Sequence, residues 1–242
     1  MTYFFITGTS QGLGKALATQ ALDKGAKVHG LSRSQPFEKE GYTHFVYDLS
    51  DLDNLEAMAD KFFAVEGKPD RVVLINNAGT LGDVSYIGDW QANDIARTVA
   101  VNLTAPAVLM NAFVKTFGKM KATEKVVINI SSGAAKKPYD GWSVYCTTKA
   151  GLEMYTKVLA AEMKKRDMTR FHIWSVAPGV VDTGMQDRLR ESNPAHFSNL
   201  DRFLDLKKEG RLTPPEESAG KILSMLDAPE DFKDTVQDIR KF

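Results

Sequence analysis

Short apolar runs rich in β-branched and aromatic residues recur along this chain. Between them lie longer stretches whose apolar residues return every three to four positions. The short runs predict strands at 3–7, 27–32, 44–47, 71–76, 125–131 and 171–177. The longer stretches predict helices at 12–24, 52–65, 94–119, 145–165 and 215–226. In the first helix Leu13, Leu17, Gln20 and Ala21 share one face, and Gly25 stands where a C-cap glycine belongs. Strands alternating with helices imply parallel βαβ units. The predicted fold is therefore α/β, a three-layer doubly wound parallel sheet of Rossmann type. No linker rich in Pro, Gly or Ser and no repeat interrupts the pattern, so residues 1–242 read as one domain.

Composition narrows the field of partners. Lys+Arg and Asp+Glu both number 31, so the formal net charge is zero. That balance supplies neither a broad basic field for nucleic acid nor a polybasic membrane patch. No apolar run approaches the ~20 residues that a helical span needs, and the opening Met1–Ile6 stretch has no basic leader. The expected location is the cytoplasm. One cysteine, Cys146, leaves no disulfide framework; it reads as a small buried hydrophobe beside Tyr145. The four histidines show no ligand spacing, and no metal is expected.

The first strand runs into Thr7-Gly8-Thr9-Ser10-Gln11-Gly12-Leu13-Gly14, with glycines spaced as GxxxGxG. Gly8 allows a sharp turn, Gly12 lets backbone approach a pyrophosphate, and Gly14 lets the helix sit close to the strand. The helix start then offers free N–H groups and a positive dipole end to phosphate. The second strand ends in Leu31-Ser32-Arg33-Ser34, without the carboxylate that an adenosine 2′-hydroxyl would ask for. Arg33 presents a planar fork for a 2′-phosphate, and the neighbouring serines add hydroxyls, so the expected cofactor is NADP(H).

Ser131-Ser132 and Tyr145-Cys146-Thr147-Thr148-Lys149 carry the candidate chemistry. Tyr145 and Lys149 are four apart and share a helix face. A nearby ammonium favours phenolate and is expected to lower the tyrosine pKa towards the working range. Ser132 ends a strand, where its hydroxyl could polarise a carbonyl. A YxxxK spacing alone is weak evidence, since a surface Tyr–Lys pair gives the same pattern.

Taken in order, GxxxGxG, Asn76-Asn77-Ala78-Gly79, Ser132, YxxxK and Pro178-Gly179 resemble the short-chain dehydrogenase/reductase family. The resemblance covers essentially the whole chain. It implies Tyr145 as proton donor, Ser132 as carbonyl anchor, Lys149 on the nicotinamide ribose and Asn102 holding a water in the proton relay. It further implies that Asn76, Asn77, Ala78 and Gly79 brace the sheet and border the adenosine ribose, and that Asp48 and Leu49 flank the adenine. Pro178, Gly179, Val180, Val181 and Thr183 would line the nicotinamide amide and diphosphate. Gln11 departs from the pattern, because many NADP-preferring members carry a cation there; selectivity would then rest on Arg33.

Ser132-Gly133-Ala134-Ala135, Pro138-Tyr139, Gly141-Trp142-Ser143 and Tyr145-Cys146 resemble the sepiapterin-reductase-like branch, and within it reductases of aromatic 1,2-diketones. The implied substrate is a small aromatic dicarbonyl, and the implied assembly is a homodimer or homotetramer packed through helices 94–119 and 145–165. The polar, broken stretch 185–212 is expected to form a substrate lid. Trp142, Tyr139 and apolar lid residues either line an aromatic pocket or pack the fold. Three other readings stay open: a pterin side-chain carbonyl reductase, a non-catalytic NADPH-binding regulator and a structural module.

Overall fold

The computed structural model describes residues 1–34 and 37–242. Seven strands, β1 (Thr2–Thr7), β2 (Lys27–Ser32), β3 (Tyr42–Val46), β4 (Arg71–Asn76), β5 (Glu124–Ile130), β6 (Phe171–Ala177) and β7 (Val236–Asp238), form one sheet in the order β3-β2-β1-β4-β5-β6-β7. Every pairing is parallel. The near-continuous apolar runs of β1, β4 and β5 suit strands covered on both faces. One face buries Phe4, Val73 and Ile128, and the other buries Phe5, Leu74 and Val127. The order reverses between β1 and β4, which opens a crevice at the carboxyl ends of those strands.

The helices are α1 (Gly12–Asp23), α2 (Leu55–Phe62), α3 (Ala92–Val99), α4 (Ala105–Phe117), α5 (Ser143–Lys165), α6 (Gly184–Arg190), α7 (Leu200–Lys208) and α8 (Pro215–Ser224). Helices α1 and α8 cover one face of the sheet, and α2, α4 and α5 cover the other. The helix predicted over 94–119 is present as one continuous run, in which Ala100–Thr104 form a π-helical segment between α3 and α4. The polar stretch 185–212, expected as a lid, carries α6 and α7, whose buried Leu189, Leu200, Phe203 and Leu206 join a third apolar cluster. The short β7 was not predicted, since Val236-Gln237-Asp238 carries no apolar run.

The continuous helical run Ala92–Phe117 also departs from the sequence reading. Among the described residues it is the one helix long and apolar enough to cross a membrane by length and composition. Its Ala105, Leu109, Met110, Phe113 and Phe117 are, however, fully buried in the core cluster that includes Val72, Leu74 and Val127 of the sheet.

Candidate active site

A cleft of about 1220 Å³ opens at the carboxyl ends of the central strands. Its floor at one end is the turn after β1. Gly8 has φ +75°, and a Cβ there would come within 2.9 Å of the Ala78 Cα. A Cβ on Gly14 would lie 2.2 Å from the Gly8 carbonyl oxygen, so the first turn of α1 stacks directly on the loop. Asn77 clamps that loop from β4: its Nδ2 donates to the carbonyls of Thr7 at 3.0 Å and Gly8 at 3.3 Å. The Thr7 hydroxyl accepts from the backbone N–H groups of Asn77 and Ala78, both at 3.0 Å. Helix α1 has no side-chain cap and no acidic residue in its first turn. Its leading N–H groups and dipole therefore face the cleft uncompensated, a cradle suited to diphosphate.

Beyond β2 the cleft wall carries Arg33, exposed and without a hydrogen bond or ion pair among the described residues. Asp48 accepts from the Ser50 N–H and hydroxyl and pairs with Arg97 at 3.2 Å. Burial opposes its ionisation, but those bonds and the Arg97 and Arg33 charges hold its carboxyl below the usual range. Leu31 and Leu49 add apolar wall. Ser32 also borders the cleft, and its hydroxyl donates to the Ser34 carbonyl at 2.8 Å.

Ser132, Tyr145 and Lys149 converge on the middle of the cleft. Ser132 caps a short 3₁₀ turn, its Oγ accepting from the Ala134 N–H at 3.1 Å. Tyr145 stands one turn ahead of Lys149 on α5, with the Lys149 Nζ 5.7 Å from the tyrosine ring centroid. The Lys149 Nζ donates to the Ile130 carbonyl at 2.8 Å. Both side chains are buried. Burial pushes the Tyr145 phenol up to about 12, opposed by the Ser132 hydroxyl beside it, and lowers the Lys149 ammonium to about 8. The direction at Tyr145 is opposite to the one expected from YxxxK. Desolvation outweighs an ammonium that is itself buried and engaged by a carbonyl.

Asn102 sits in the π segment and is fully buried. Its amide pairs with the Thr80 backbone in both directions, at 2.8 and 2.7 Å, and donates to the Thr148 hydroxyl at 3.2 Å. Thr148 in turn donates to the Tyr145 carbonyl at 2.9 Å. The side chain thereby holds the loop after β4 against α5 rather than lining the cleft.

Residues 2–194 match the short chain dehydrogenase family. The chain belongs to the short-chain dehydrogenase/reductase family. It is 42% identical to a benzil reductase ((S)-benzoin forming) of Bacillus cereus, over 95% of this chain and 96% of that one. A sepiapterin reductase of Meriones unguiculatus is 36% identical, over 96% and 92%. Among solved structures, the KRED1-Pglu enzyme superposes with a TM-score of 0.78 at 32% identity, over 93% of this chain and 94% of that one. As a member of this family the protein is an oxidoreductase of the CH–OH/C=O couple, a carbonyl reductase in a family that uses NAD(P)H.

Within this short-chain reductase, Gly8, Ser10, Gln11, Gly12, Leu13, Gly14, Ala78, Gly79, Pro178, Gly179, Val180, Val181 and Thr183 all border the cleft as expected. Thr183 faces Gly12 across it, where a Cβ on Gly12 would lie 2.9 Å from the threonine methyl. Asn76 does not border the cleft. It is buried and donates to Asn129 Oδ1 at 2.8 Å, which braces β4 on β5. Asn77, within the expected 76–79 brace, acts as the clamp, and two contributors escaped the sequence reading: Arg97 opposite Asp48, and Arg240, which reaches the cleft from the C-terminal turn. The last has no local signal, because only β7 brings residue 240 to the crevice.

Trp142 forms the far wall. Its ring stacks on Phe197 at 5.0 Å, meets Phe203 and Tyr139 at 5.5 and 5.0 Å, and stands edge-on to Tyr145 at 5.7 Å. Both readings of Trp142 hold: the ring packs the third apolar cluster and borders the cleft.

Proposed function

We propose that this protein is an NADPH-dependent reductase that converts one carbonyl of an aromatic 1,2-diketone to the alcohol, as in benzil to (S)-benzoin. The observation that carries the reading is the convergence of Ser132, Tyr145 and Lys149 beside an aromatic wall, in a cleft whose other end carries an uncapped helix start and the exposed Arg33. A bound nicotinamide dinucleotide would supply the hydride to the carbonyl carbon. Tyr145 donates its phenolic proton to the carbonyl oxygen, and its raised pKa keeps that proton in place at neutral pH. Ser132 hydrogen-bonds the same oxygen and steadies the charge that develops on it. Lys149 would hold the nicotinamide ribose. A water in the relay would be held at Asn102, whose side chain pairs with the Thr80 backbone and donates to Thr148.

Arg33 supports NADPH over NADH: it is an exposed fork just past β2, without a hydrogen bond or ion pair among the described residues, and the strand end carries no carboxylate to bind a ribose diol. The 42% identical Bacillus cereus relative supports an aromatic diketone, and the aromatic wall of Trp142, Tyr139 and Phe203 suits a flat uncharged ring. Reduction of a pterin side-chain carbonyl is the second reading, favoured by the sepiapterin reductase relative. Helices α6 and α7 act as a lid over the carbonyl. A cytoplasmic location fits an enzyme that draws on a reduced dinucleotide pool.

The test follows absorbance at 340 nm with benzil, using NADPH and NADH in parallel. We expect turnover with NADPH to exceed that with NADH, and Tyr145→Phe to lose at least about 10³-fold in kcat while still binding NADPH. Arg33→Ala should weaken NADPH much more than NADH. Equal losses for both dinucleotides would remove the phosphate role, and an active Tyr145→Phe would remove the proton donor.

A further inference from the structure

The turn that leads into α5 holds more than the catalytic helix in place. Asp140 lies between the short 3₁₀ turn Gly133–Ala135 and α5, and its carboxylate is satisfied almost entirely from the lid. Oδ2 accepts from the Ser198 N–H at 2.8 Å, and Oδ1 accepts from the Ser198 hydroxyl at 2.9 Å and the Asn199 amide at 3.3 Å. Tyr86, from the loop after β4, reaches the same carboxylate at 3.4 Å and stacks on His196 of the lid at 5.5 Å. Next to Asp140, Gly141 has φ +73°, and a Cβ there would lie 2.3 Å from the His196 carbonyl oxygen. Only glycine lets the lid backbone come this close. Then comes Trp142, which stacks on Phe197, the residue immediately before Ser198.

Three consecutive residues thus bind one consecutive stretch of lid: a carboxylate on Ser198 and Asn199, a bare backbone against His196, and an indole on Phe197. The same indole stands edge-on to Tyr145. A short charged latch therefore sets where the lid's rings sit relative to the proton donor. The carboxylate is a strong acceptor for several N–H and O–H donors at once, and the ring pairs it registers are worth more than their area alone.

We infer that Asp140 is a positioning residue for substrate selection: by fixing Ser198 and Asn199 it seats Phe197 on Trp142 and completes the ring-lined wall that accepts aromatic, rather than aliphatic, 1,2-diketones. The inference rests on the diketone reading above. Asp140 touches neither cofactor nor the reacting carbonyl in this role. It acts through Phe197 and Trp142, so its loss should appear in substrate affinity and not in the chemical step.

The test compares wild type, Asp140→Asn, Asp140→Ala, Ser198→Ala and the Asp140→Ala/Ser198→Ala pair on benzil and on 2,3-butanedione. Binding of NADPH is followed by fluorescence, and cleavage within 185–212 by limited proteolysis. For Asp140→Ala we expect KM for benzil to rise about tenfold, with kcat, KM for 2,3-butanedione and the NADPH Kd within about twofold of wild type. Asp140→Asn, which keeps one acceptor oxygen and the fold, should fall between. The double variant should be no worse than Asp140→Ala, because the two residues share one contact. Equal loss on both diketones, or a kcat loss without a KM change, overturns the assignment. Should wild type not turn over benzil at all, the diketone reading fails. The latch is then judged by proteolysis alone: faster cleavage of 185–212 in Asp140→Ala supports it, and unchanged cleavage overturns it.

Discussion

Tyr145 and Lys149 show how a pair legible from spacing acquires its properties from burial. Four residues on a helix bring the two side chains to one face, but the direction of each pKa follows from solvent exclusion. The phenol is pushed up to about 12 and the ammonium down to about 8. Tyr145 therefore stays protonated through the neutral range, the form that a carbonyl reductase needs. Lys149 titrates first as pH rises. We expect kcat/KM for reduction to fall through about pH 8 as its charge is lost, and Lys149→Arg to move that limb upward. A profile flat to pH 10 would remove Lys149 from the alkaline limb. The stability sign follows the same shift: above about pH 8 the unfolded chain holds the Lys149 proton more tightly than the folded one, so this group's contribution to stability improves with pH up to its ordinary value of 10.5. Ser132 and Arg33 were also legible as single residues, because a strand-end hydroxyl and an exposed strand-end cation depend on local position. Asp140 was not. Its meaning lies wholly in Ser198 and Asn199, nearly sixty residues on.

The Gly-rich turn and α1 form an element whose constraint is steric. Gly8 and Gly12 need positive φ, whereas Gly14 needs space: its missing Cβ would collide with the Gly8 carbonyl at 2.2 Å and with Asn77 at 2.4 Å. Gly14→Ala should therefore cost about 1–3 kcal/mol through overpacking and weaken dinucleotide binding together with the melting temperature. A variant with wild-type melting and wild-type dinucleotide affinity would contradict the close packing of α1 on the loop. Regular elements were largely visible from periodicity, because β1, β4, β5 and α1 bury continuous or striped apolar faces. The π segment was invisible for the opposite reason. Ala100–Thr104 carry no local breaker, and the offset is set by Asn102 reaching Thr80 and Thr148 at once. β7 was missed because three residues suffice when β6 supplies the partner.

At the scale of the whole molecule, the outer face of α5 exposes Met154, Tyr155 and Val158, and α3 beside it exposes Ile95. Such an exposed apolar patch marks a contact surface, and we propose that the helical run 94–119, with α3 at its start, and α5 form the interface of a homodimer or homotetramer. Sedimentation at micromolar concentration should find more than one chain per particle, and Val158→Glu should shift the distribution toward the single chain; a wild-type monomer would sink the proposal. The α/β class, the strand-and-helix order, the Gly-rich loop and the Ser–Tyr–Lys set were determined by the sequence itself, because each rests on short-range spacing and on the apolar pattern that a two-sided sheet demands. Tertiary structure alone decided which of those residues reach the cleft and which brace the sheet, as Asn76 and Asn102 do, and which way the tyrosine titrates. It also decided that α6 and α7 meet Trp142. These depend on burial and on contacts between distant segments, which the chain acquires only once the sheet has gathered the carboxyl ends of its strands into one place.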